Sequence, residues 1–123
     1  MKYRDIKEVQ FKSNNTFYAF SKEAFDEQAK RFNGEKIYSI HGGLFGTKEG
    51  LEELNNFLDN RTKRISEECT PQEVYSYEFN NHECSYTNSD DEPIKLCVCY
   101  FGVERCREIK RRFAYLKLED IEL

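Results

Sequence analysis

No apolar run in this chain approaches the roughly 20 residues of a membrane span. The opening Met1-Lys-Tyr-Arg-Asp-Ile6 holds no apolar core, so no secretion signal is expected. There is no internal repeat, no low-complexity tract and no linker-like stretch, and 123 residues are expected to form one domain, 1–123. The net charge of -4 is too small for a strongly acidic nucleic-acid mimic and has the wrong sign for a dedicated duplex-DNA binder. Cys-x2–4-Cys knuckles are absent. With no export signal, the five cysteines are expected as reduced thiols in a cytosol.

What is present is aromatic. Apolar residues make up only 38%, but ten phenylalanines and eight tyrosines are among them, so a few large side chains must fill the core. Charged residues, at 34%, suit a solvated surface.

Tyr3, Ile6 and Val9 recur at helical spacing within residues 1–11. Thr16-Phe-Tyr-Ala-Phe20 reads as a strand, and Ser21 as the N-cap of a helix striped by Phe25, Gln28, Ala29 and Phe32 and stopped by Asn33-Gly34. Residues 36–41 read as a second strand. Thr47 then caps a long helix with a stripe of Leu51, Leu54, Leu58 and Ile65.

Residues 73–101 look like architecture. Residues 73–79 and 82–87 flank Asn80-Asn81, a pair that tolerates the positive φ of a two-residue hairpin turn. Folding there sets Phe79 opposite His82, Tyr77 opposite Cys84 and Tyr75 opposite Tyr86. Ile94 to Phe101 supplies a third strand, broken by Gly102, and Val103, Cys106, Ile109 and Phe113 mark a last helix. The expected fold is α+β: a largely antiparallel sheet of about five strands, ending in a three-strand meander, covered by two or three helices.

Within that meander, pairing register decides the fate of the thiols. One register gathers Cys84, Cys97, Cys99 and His82 on one face as a zinc site. The other joins Leu96, Val98 and Tyr100 to the aromatic row and leaves the thiols as packing residues. The second buries about four more large apolar side chains at roughly 1.5–3 kcal/mol each and is the one expected, with no metal bound. The hairpin also sets Glu78 opposite Glu83. Two close carboxylates, with His41, could do acid–base work, or be solvated. No pocket or nucleophile accompanies them, and no catalytic residue, cofactor or small-molecule substrate is expected. Gly42-Gly43-x-x-Gly46 lacks the Lys-Ser/Thr end of a phosphate loop, since Thr47-Lys48 is reversed. It reads instead as a loop whose Leu44 and Phe45 tuck into the core or contact a partner.

Charge is uneven. Residues 104–117 hold six cations (Arg105, Arg107, Lys110, Arg111, Arg112 and Lys117) against Glu104 and Glu108; +6 and -2 leave +4 there, and so -8 elsewhere. Arg61, Lys63 and Arg64 add a second cluster. These residues form either a solvated helix face or a contact for phosphate backbone or an acidic protein.

Thr16-Phe-Tyr-Ala-Phe-Ser-Lys-Glu-Ala-Phe25, Gly42-Gly-Leu-Phe45 and Tyr77-Glu-Phe-Asn-Asn-His-Glu83 together resemble a family of small uncharacterised phage and prophage proteins. The likeness leaves Glu68–Gln72 and the tail after Leu116 unmatched. The resemblance implies a phage-encoded, non-catalytic interaction protein in the bacterial host cytoplasm, of anti-CRISPR or other anti-defence type. Its partner would be a CRISPR effector, or a similar defence protein or ribonucleoprotein, or the guide RNA, occluded by Arg105 to Arg112 with Arg61 to Arg64. The alternatives are a stand-alone RNA-binding regulator, a small enzyme using Glu78, Glu83 and His41, and a zinc-stabilised module. No membrane partner is expected.

Overall fold

The computed structural model describes residues 2–122, so Met1 and Leu123 of the first and last expected elements lie outside it. The chain forms two compact units, Gln10–Asn60 and Met1–Val9 with Arg61–Leu123.

The Gln10–Asn60 unit follows its local signals. Strand β1 is Thr16–Tyr18. Ser21, extended at φ -148, accepts a hydrogen bond from the Ala24 amide at 3.1 Å and starts helix α2, Lys22–Ala29. A 3-10 turn, Lys30–Phe32, ends on Asn33 in the left-handed conformation. Strands β2 (Tyr38–His41) and β3 (Leu44–Gly46) are joined by Gly42 and Gly43, both at positive φ (57° and 84°), which a tight hairpin demands. The sheet is antiparallel in order β1-β3-β2, with Phe17 opposite Phe45. Leu44 and Phe45 therefore belong to the central strand, not to a loop. Phe17 stacks on Phe45 (5.7 Å between ring centroids) and Phe32 (5.9 Å), and Phe25 meets Phe45 edge-on. Helix α3, Lys48–Glu68, starts at Thr47, whose hydroxyl accepts from the Gly50 amide, and its residues contribute to both units.

The second unit holds helices and no strand among its described residues, and here the expected five-strand sheet is overturned. Residues 73–81 are not a strand but part of helix α4, Pro71–Asn81. Thr70 is extended and accepts from the Glu73 amide at 3.2 Å, and Pro71 occupies the first turn, where its missing N–H costs nothing. The buried residues of α4 are Val74, Tyr75, Glu78 and Phe79, a helical stripe rather than an alternation. Glu83 and Asn88, both at positive φ, bracket a short helix α5, Cys84–Thr87. The expected third strand is part of helix α6, Asp91–Cys106. Asp91 and Glu92 favour its N-terminal turn, and Pro93, Ile94, Cys97, Val98 and Phe101 are buried. Gly102, at φ 81 and ψ 163, kinks that helix instead of ending a strand. The expected helix through Phe113 stops at Cys106, after which the chain is irregular up to a 3-10 turn at Leu118–Asp120. With helix α1, Lys2–Lys7, whose Tyr3 and Ile6 are buried, these elements enclose one core.

Candidate nucleic-acid interface

The basic segment is not a helix face. Of its cations only Arg105 lies inside α6. The irregular stretch is instead pinned to α4 through its own backbone donors, which a helix would have used internally. The Lys110 amide donates to Gln72 Oε1 at 2.7 Å, and the Arg112 amide donates to the Tyr75 hydroxyl at 3.0 Å. Gln72 Nε2 donates onward to Ser76 Oγ at 3.1 Å.

Between those two amides, Arg111 turns inward. Its guanidinium forks onto the fully buried Asp90 carboxylate, Nε to Oδ2 at 2.9 Å and Nη2 to Oδ1 at 2.8 Å, and Nη1 donates to the Leu116 carbonyl at 2.6 Å. Tyr75 completes the network by donating to Asp90 Oδ2 at 2.9 Å. Burial foremost pushes the Tyr75 hydroxyl up to about 12; Asp90 adds to this and the Arg112 amide opposes it. Arg111 is thus a structural residue.

This anchoring leaves Lys110 and Arg112 exposed on the lip of an open groove of about 280 Å³, whose other lining residues are Gln72, Tyr75, Ser76, Phe79 and Asn80. Among the described residues, two cations and no carboxylate line it. The Arg112 guanidinium lies over the Phe79 and Phe113 rings, 5.8 and 5.7 Å from their centroids, and Nη1 donates to Ser85 Oγ at 3.2 Å. The rings continue as a row: Phe79 to Phe113 at 6.1 Å and 18°, then Phe113 to Tyr115 at 6.2 Å and 17°. Tyr115 is 77% exposed.

The other expected contacts are dispersed. Arg105 stacks on Phe101 and donates to the Ser66 carbonyl at 2.9 Å. Arg107 is neutralised by Glu104 and Glu119. Arg64 pairs with Glu68, which also takes Lys2. Lys63 is exposed and Arg61 half-buried on α3, and neither lines the groove. Leu44 is buried and Phe45 half-buried in the sheet of the other unit.

The carboxylate pair of the enzymatic alternative does not assemble. Glu78 is fully buried, accepting from Tyr3 OH at 2.6 Å and meeting His82 Nε2 at 3.1 Å, with Lys7 Nζ as ion-pair partner. Burial raises its pKa, but the hydrogen bonds from Lys7 and Tyr3 outweigh that and hold the carboxyl below its ordinary range. Glu83 is exposed, and His41 belongs to the other unit. The thiols separate as well: two residues apart on a helix, Cys97 is buried and Cys99 exposed. Among the described residues no three His, Cys, Asp or Glu side chains are grouped to hold a metal ion. Burial pushes the Cys69 and Cys106 thiols up to about 11 and Cys97 higher still, so these stay protonated at neutral pH.

Gln72, Tyr75 and Asp90, which position the groove, escaped the sequence reading. The signal for the first two was Thr70-Pro71-Gln72-Glu73, a capped helix start with Thr at the N-cap and Glu three residues on.

This geometry sits inside a recognised family. The chain belongs to DUF7659, a family of unknown function, whose match runs over residues 2–113. That span includes every residue lining the groove and ends at Phe113, two residues short of Tyr115. No curated protein matches the chain, and neither does any solved structure. Among the described residues no helix is long and apolar enough to cross a membrane.

Proposed function

We propose that this chain is a non-catalytic interaction protein that grips single-stranded RNA on its helical unit. In the phage setting that the resemblance implies, it acts in the bacterial cytoplasm and inhibits a defence nuclease of CRISPR type by occupying the effector's guide RNA.

The observation that carries the RNA contact is the groove, with no carboxylate among its described lining residues and Lys110 and Arg112 on its lip, beside the exposed Tyr115 ring that ends the Phe79–Phe113–Tyr115 row. Cations track a phosphate backbone while rings and guanidinium planes take bases, each base stack being worth about 1–3 kcal/mol. The backbone anchors to Gln72 and Tyr75 hold the cations in place before RNA arrives, which lowers the ordering cost of binding. A net charge of -4 disfavours broad contact with duplex DNA and leaves a local, strand-sized site as the favoured mode.

The test is fluorescence anisotropy with short labelled single-stranded RNA over a salt series, followed by target cleavage by a CRISPR effector in the presence of the protein. Wild-type protein is expected to bind with a log–log salt slope near -1.4, about 0.7 for each of two phosphates. The Lys110→Ala/Arg112→Ala pair should weaken binding about tenfold or more, and cleavage should stop at saturating protein. RNA affinity indifferent to that pair removes the groove from the mechanism. RNA binding without inhibition of any effector points to the stand-alone RNA-binding regulator.

A further inference from the structure

One wall of the groove is neutral, and the phosphate and stacking contacts leave it unused. Ser76 and Asn80 lie one helical turn apart on the exposed face of α4. Both line the groove beside Lys110 and Arg112, and both also line a second open groove of about 390 Å³ bordered by Tyr77 and Asn81. Ser76 Oγ accepts from Gln72 Nε2, so its own proton remains free to donate. Among the described residues the Asn80 carboxamide has no hydrogen-bond partner in the protein.

A neutral donor–acceptor pair does little for a phosphate, which the two cations already serve. It matches a group that donates and accepts at once and sits next to the phosphate along the strand. The ribose 2′-hydroxyl is that group, and through it a protein distinguishes RNA from DNA. Resting on the RNA reading above, we infer that Asn80, with Ser76 beside it, is a ribose-selecting site: the carboxamide brackets a 2′-hydroxyl while Lys110 and Arg112 hold the adjoining phosphates. Deoxyribose leaves the carboxamide facing a C–H and loses those hydrogen bonds.

The experiment compares labelled oligouridine with oligodeoxyuridine of equal length, so that base and charge are identical, and adds 2′-O-methyl oligouridine, whose sugar oxygen accepts but no longer donates. Wild-type protein is expected to bind the ribose strand about five- to tenfold more tightly than the deoxyribose strand, the scale of one or two hydrogen bonds. The 2′-O-methyl strand should behave like the deoxyribose strand. Asn80→Ala, an exposed position, should bring the ribose strand down to the deoxyribose level, with far-ultraviolet circular dichroism confirming the fold. Equal wild-type affinity for ribose and deoxyribose strands, with binding still sensitive to Arg112→Ala, overturns the ribose site and spares the nucleic-acid reading. A full ribose preference kept by Asn80→Ala overturns the assignment to Asn80. Failure to bind either strand overturns the RNA reading and this inference with it.

Discussion

The two units bury opposite kinds of chemistry. The Gln10–Asn60 unit closes over rings: Phe17 and Phe32 are buried, Phe25 and Phe45 pack against them, and its buried polar side chains are the neutral Thr16 and Thr47. The helical unit buries two carboxylates completely, Glu78 and Asp90, each answered by a cation and a tyrosine hydroxyl. The hydrophobic force that buries rings is non-directional and tolerates small shifts. A buried ion pair tolerates few, because desolvation is recovered only in good geometry. The difference explains how an irregular stretch, residues 107–116, comes to be held firmly enough to present Lys110 and Arg112. Its anchors are not a ladder of backbone–backbone bonds but side chains: Gln72 and Tyr75 on α4, which take its amides, and Asp90 at the start of α6, which takes Arg111.

The largest effect expected on this contrast is that of Arg111→Ala. It strands the Asp90 carboxylate in the core and should cost about 3–5 kcal/mol. Hydrogen exchange should show the loss in the amides of α4, α6 and residues 107–116, with β1 and β3 keeping their protection. Equal loss in both units would erase the distinction.

Acid comes next. The folded pKa of Glu78 lies below the ordinary carboxyl value of about 4.3. Its contribution is therefore present in full above that value and lost as pH falls through the depressed one. Urea unfolding followed by tyrosine circular dichroism should show the helical unit weakening below about pH 4, and Glu78→Gln should flatten that profile. Glu53 in the other unit is also held below the usual range, by Ser13 and Asn15, but it lies in open solvent and should give a shallower slope. If the β1 and β3 amides lose protection first on acidification, the contrast is reversed.

The smallest effect should come from Phe20→Ser. That ring is 82% exposed, so stability should move by no more than about 0.5 kcal/mol in a thermal melt. A larger loss would mean that the aromatic unit depends on its outer rings as well as its inner ones.

Where local signals were complete, they were legible. Ser21 caps α2, Asn33 ends the turn that follows it, and Thr47 begins α3, all as the residue types demand. The meander failed because Tyr75-Ser-Tyr-Glu-Phe79 alternates apolar and polar residues only while Glu78 is counted as an outside residue, and Val74 already breaks that alternation. Once Glu78 is inside, with Val74, Tyr75 and Phe79, the period is helical. Ile94 to Phe101 is a short apolar run that periodicity alone cannot divide between strand and buried helix. Its acidic start at Asp91 and Glu92, followed by Pro93, favoured the helix. The candidate site was half legible. Charge density pointed to Lys110 and Arg112, but nothing local separated them from Arg111, their neighbour in sequence and their opposite in role.

By itself, then, the chain's sequence determined the caps, the turns and the two outer strands of residues 10–60, because each depends on a few neighbours and on φ preferences that neighbours satisfy; the central strand, Leu44–Gly46, was fixed by pairing with both. Only the tertiary structure decided that Glu78 and Asp90 are interior, and hence that residues 73–101 form helices instead of a meander and that one arginine is locked away while Lys110 and Arg112 stay exposed. A carboxylate enters a core only when its partners arrive from elsewhere in the chain, here Tyr3 and Lys7 for Glu78 and Arg111 for Asp90.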